Sequence, residues 1–91
     1  MRDIDAIIGV LRKAHPNLAV EQLRVAHPGD DDGIWFFKHP SASVEVQLES
    51  STGNCPFIVE SDRNAEAEHA RTVPQAVSMV SAALGLSTDA T

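Results

Sequence analysis

Ile34-Trp35-Phe36-Phe37, Val44-Glu45-Val46-Gln47-Leu48-Glu49 and Cys55-Pro56-Phe57-Ile58-Val59-Glu60 are the three runs whose reading decides the fold. All the aromatic side chains of the chain, Trp35, Phe36, Phe37 and Phe57, fall within them. β-branched and aromatic residues favour a pleated, half-buried backbone, and turn-forming clusters separate the runs, so they read as three strands of one sheet. In the middle run Val44, Val46 and Leu48 alternate with Glu45, Gln47 and Glu49, which gives an antiparallel strand one apolar and one polar face. The turns between them are His39-Pro40-Ser41-Ala42 and Ser50-Ser51-Thr52-Gly53-Asn54. Pro56 stands near the start of the last strand, where a missing N–H costs least.

Upstream, Ile4, Ile7, Ile8 and Leu11 have the spacing of an amphipathic helix over residues 4–14, with Asp3 as its N-terminal cap and Pro16 as its stop. Arg12 and Lys13 in the last turn suit the helix dipole. Residues 18–26 fit neither period cleanly. The short space between Pro16 and Pro28, followed by the turn cluster Pro28-Gly29-Asp30-Asp31-Asp32-Gly33, favours a strand that forms a hairpin with Ile34-Trp35-Phe36-Phe37. Downstream, residues 62–71 are polar and compatible with a loop, a helical turn or a short extra edge strand. Thr72-Val73-Pro74-Gln75 then has the form of a capping box, and Val73, Val77, Val80 and Leu84 carry a helix over residues 73–84 that Gly85 closes. Residues 87–91 are expected to form a flexible tail.

The order α-β-β-β-β-α predicts an α+β fold, an antiparallel four-stranded meander with both helices on one face, in a single domain over residues 1–86. Two short helices cannot cover both faces of the sheet. The run at 34–37 is apolar on both sides, with Ile34 and Phe36 on one and Trp35 and Phe37 on the other. Whichever pair faces away from the helices shares its surface with Glu45, Gln47, Glu49 and Glu60. The expected contact surface is Trp35 and Phe37 with those four residues, an aromatic patch ringed by polar and acidic groups.

Composition narrows the function classes. At 91 residues the chain has room for one domain, since domains commonly need about 50 to 200 residues. Its net charge of −6 disfavours nucleic acid and anionic membranes, and a basic protein surface is the partner this sign attracts. A single cysteine excludes an intramolecular disulfide, and the apolar run at 7–11 is too short and too amphipathic for a signal peptide or membrane span. A cytoplasmic location is therefore expected.

No catalytic or metal constellation is legible. His15, His27 and His39 each precede a proline at 12-residue spacing, but the flanking residues do not recur, and zinc-type local spacings are missing. An EF-hand loop aligned on Gly33 would begin at Pro28 and end at His39, where it needs oxygen ligands, so the three aspartates read as a solvated turn. Cys55 is the one candidate nucleophile. The arginine of a phosphatase-type loop is missing, since Ser61 holds its place and Arg63 is out of register, and a thiolate needs a nearby cation or helix N-terminus. A small packed thiol is the plainer reading. Ser50, Ser51, Thr52 and Asn54, with Cys55, form a candidate ligand-binding turn without any phosphate-loop fingerprint. No cofactor is implied.

Through Gly33-Ile34-Trp35-Phe36-Phe37 and Val46-Gln47-Leu48-Glu49-Ser50-Ser51-Thr52-Gly53-Asn54-Cys55-Pro56-Phe57, the chain resembles small bacterial proteins of unassigned function with W-F-F and E-S-S-T-G-x-C-P-F runs. In size and acidity it is also similar to immunity proteins of toxin systems and to short relatives of secretion chaperones. The first resemblance brings no chemistry to carry over onto particular residues; the two-sided apolar strand, the net charge and the lack of a catalytic constellation lead to the expectation of a non-enzymatic protein-binding domain of immunity or chaperone type. Two other readings stand beside it: a small-ligand-binding domain or minor enzyme using Cys55 and the turn at 50–54, and a homodimer formed through the aromatic face.

Overall fold

The computed structural model describes residues 2–23, 33–62 and 64–86. Helix α1 (Asp3–Ala14) leads into strands β1 (Ala19–Gln22), β2 (Ile34–Lys38), β3 (Val46–Glu49), β4 (Phe57–Ser61) and β5 (Asn64–Ala70), and helix α2 (Val73–Ala83) follows. The strands form one antiparallel sheet in chain order. The α+β class and the meander agree with the sequence reading, with one strand more than the four expected. The added strand is β5, from the segment compatible with three structures. Its Ala-Glu-Ala-Glu core has poor strand propensity, so antiparallel pairing with β4 imposes the conformation on it. The expected strand at 18–26 is seen at Ala19–Gln22; its remainder, His27, the turn with Asp30, Asp31 and Asp32, and the tail at 87–91 lie outside the described residues.

The core lies on one side of the sheet. Trp35, Phe37, Val46, Leu48, Phe57, Val59 and Ala70 meet Ile4, Ile7 and Leu11 of α1 and Ala76, Val77, Val80 and Leu84 around α2 in a single buried cluster. The register explains the pairing. Trp35 stands opposite Leu48, and Leu48 opposite Val59, while Phe37 stands opposite Val46. Trp35 is 4% and Phe37 0% exposed, so the pair expected at the contact surface belongs to the core. The two pairs of β2 are chemically alike, and packing the bulkier one under the helices buries the larger apolar area.

The helix ends agree in part with their sequence signals. Thr72 caps α2 by accepting the Gln75 N–H at 3.2 Å, and the Gln75 side chain accepts from the Arg71 N–H at 2.7 Å. At its C-terminus Leu86 N–H donates to the Ser81 carbonyl and Gly85 N–H to the Ala82 carbonyl, with Gly85 at φ +71, which is the Schellman arrangement. At α1 the cap is Arg2 rather than Asp3. The Asp3 carboxylate instead accepts the Cys55 N–H at 2.9 Å, joining the helix to the sheet. No helix among the described residues is long and apolar enough to cross a membrane.

Candidate functional site

The face of the sheet turned away from the helices carries two cross-strand rows. One runs Ile34, Glu49, Ile58, His69 across β2 to β5, and the other runs Glu21, Phe36, Gln47, Glu60 across β1 to β4. Ile34, Phe36 and Ile58 are half-buried, as are Gln47 and Glu49, while Glu21, Glu60 and His69 are exposed. None of the three apolar residues belongs to the core cluster or its packed fringe. Each is flanked across the strands by polar residues of the same face, Glu49 beside Ile34 and Ile58 and Glu21 and Gln47 beside Phe36.

Gln47, Glu49 and Glu60 are therefore brought together as the sequence reading expected, with Ile34 and Phe36 in place of Trp35 and Phe37. Glu45 lies at the end of the face, where its carboxylate meets the Lys38 ammonium at 2.9 Å. That hydrogen bond, reinforced by the Glu45 and Glu21 charges, raises the Lys38 pKa above its ordinary value. The one lysine on this face is thus already engaged. Ile58 and His69 were not singled out from sequence. A β4 read with Val59 facing inward would have placed Ile58 outward, but His69 required knowledge of β5.

The turn at 50–54 is a built connection more than an open cradle. The Ser50 hydroxyl donates to the Asn54 carbonyl at 2.6 Å, the Asn54 N–H donates to the Thr52 hydroxyl at 3.2 Å, and the Asn54 side-chain oxygen accepts the Asp3 N–H at 2.9 Å. Ile4 N–H donates to the Gly53 carbonyl at 2.9 Å. Gly53 adopts φ +76, and a Cβ there would lie 2.9 Å from Cδ of Arg2, whose guanidinium carbon stands 5.8 Å from the Trp35 ring centre. Two of these hydrogen bonds hold α1 to the turn and the other two close the turn on itself, which accounts for their density without a ligand. Cys55 is half-buried behind this turn, and its pKa is raised, first by burial and then by the Asp3 carboxylate. Both causes hold it as a thiol.

Against the outer side of this turn lies a groove of about 550 Å³ whose lining includes Glu49, Thr52, Cys55, Pro56, Ile58 and His69. It is continuous with the outer sheet face, because Glu49, Ile58 and His69 form three steps of one row. A smaller hollow of about 130 Å³ is lined by Glu45, Gln47, Glu60, Ser61 and Asp62.

The histidines do not assemble a metal centre among the described residues. His15 and His39 meet edge to face at 6.1 Å, and the His39 Nδ1 accepts from the Ser41 N–H at 3.1 Å. No group of three potential ligands occurs among the described residues. No protein-family model, curated protein or solved structure matches the chain.

Proposed function

We propose that this chain is a non-enzymatic bacterial interaction domain, of the immunity or chaperone type, that works in the cytoplasm by binding a basic protein surface through its outer sheet face. The observation that carries this reading is the set Ile34, Phe36 and Ile58, left without a helix above it among the described residues and bordered by Glu21, Glu49 and Glu60. An apolar centre with a charged rim on a rigid sheet is the usual anatomy of a protein interface, and the carboxylate rim speeds encounter with a basic partner. The competing use of Cys55 as a nucleophile loses support from the thiol-favouring surroundings of that residue.

The test is affinity capture from cells that produce the protein, with wild-type and Phe36→Thr baits and with Val10→Thr as a control on the exposed face of α1, where Val10 is 49% exposed. Threonine keeps strand propensity while deleting the ring. The expected result is a specific protein retained by the wild type and the control and lost from Phe36→Thr. Capture of no specific protein, or equal capture by all three, contradicts the proposal. Light scattering over a dilution series tests self-association separately, and a dimer abolished by Phe36→Thr would reassign the face to a second copy of the chain.

A further inference from the structure

We infer that the groove beside Glu49 receives a single arginine side chain of the partner, a reading that rests on the outer face being the docking surface. Glu49 is the carboxylate placed between two apolar neighbours, Ile34 on one side and Ile58 on the other. It is half-buried and has neither an ion pair nor a hydrogen bond to its side chain among the described residues. Glu45, at the other end of the face, already holds Lys38. A half-buried carboxylate without a partner of its own attracts a cation, and a cation that brings its own apolar stem also covers the flanking isoleucines.

The groove supplies room for such a stem. Its volume of about 550 Å³ is lined by the apolar Ile58, Pro56 and Cys55 together with Glu49, His69 and residues of the turn at 50–54. The guanidinium group suits this site better than an ammonium. It is flat and weakly hydrated, so it sheds water against apolar walls at lower cost, and it engages a carboxylate through two N–H donors. Acidic ligands are disfavoured by Glu49 and by the net charge of −6.

The probe is N-acetyl-arginine amide, titrated into the folded protein and followed by amide ¹H–¹⁵N shifts, with the neutral isostere N-acetyl-citrulline amide and the lysine analogue in parallel. The expected result is saturable shifts confined to residues 49–58 and His69 with the arginine probe, weaker shifts with the lysine probe and none with citrulline. In Glu49→Gln the arginine affinity should fall by roughly fivefold or more. Shifts that are diffuse, equal for citrulline, or unchanged in Glu49→Gln overturn the inference. Failure here with Phe36→Thr still losing its partner removes the arginine site alone, whereas retention of the partner by Phe36→Thr removes the docking face itself.

Discussion

Asp3, Gly53 and Cys55 show how single residues fix the start of α1 against the sheet. The Asp3 carboxylate accepts the Cys55 N–H, and burial first, then the hydrogen bond and charge of Asp3, raise the pKa of the thiol from its ordinary value of 9.0. A thiol whose folded pKa is raised contributes its full stability below the unfolded value; that contribution declines as pH rises past it, because only the unfolded chain ionises readily. Urea unfolding midpoints should therefore fall from pH 8 to pH 10 in the wild type, and less in Cys55→Ser. In Asp3→Asn the Cys55 thiol should alkylate faster than in the wild type at pH 8, since the charge that opposes the thiolate is gone. Gly53→Ala should cost about 1 to 2 kcal/mol from its left-handed backbone. It should cost more than Gly85→Ala, because a methyl group at Gly85 meets nothing within 4 Å among the described residues whereas one at Gly53 displaces Arg2 from Trp35. Denaturant titration followed by Trp35 fluorescence reads both effects. None of these contacts was legible in the sequence. Asp3 read as an ordinary helix cap because nothing local reveals a partner at Cys55.

At the scale of elements, legibility followed the strength of local signals. The helix over residues 73–84 was readable because Thr72, Pro74, Gln75 and Gly85 each occupy the position their backbone chemistry favours, and Thr72→Ala should cost about 1 kcal/mol with Thr72→Ser largely restoring it in thermal melts. β2, β3 and β4 were readable from aromatic and β-branched content. β5 was not, because alanine and glutamate carry no strand signal and the conformation is set by pairing with β4. One feature of α2 runs against local preference. Ser81 is 2% exposed, and its hydroxyl has no hydrogen-bond partner among the described residues. Ser81→Ala should stabilise the fold by about 1 kcal/mol, by removing an unpaired buried hydroxyl and improving helix propensity. A rise of several degrees in melting temperature is the expected reading.

Across the whole molecule, the decisive fact is which side of β2 faces the helices. Sequence alternation in β3 made its inward residues clear, but β2 is apolar on both sides, so the choice between Trp35 with Phe37 and Ile34 with Phe36 depended on register. The pairing of Trp35 with Leu48 resolves it, and the face turned away from the helices carries Ile34, Phe36 and Ile58 among Glu21, Glu49 and Glu60. Truncating the core pair should be severe: Trp35→Ala or Phe37→Ala is expected to cost about 3 to 5 kcal/mol in denaturant titrations, a large share of the total stability of a small domain. Binding should show the opposite sensitivity. Once the partner has been isolated by capture, its calorimetric Kd for the wild type and for Phe36→Thr, with both chains confirmed folded by circular dichroism, tests the outer-face claim most directly. A Kd weakened by roughly tenfold or more in Phe36→Thr is the predicted result, and a Kd equal to that of the wild type would contradict it.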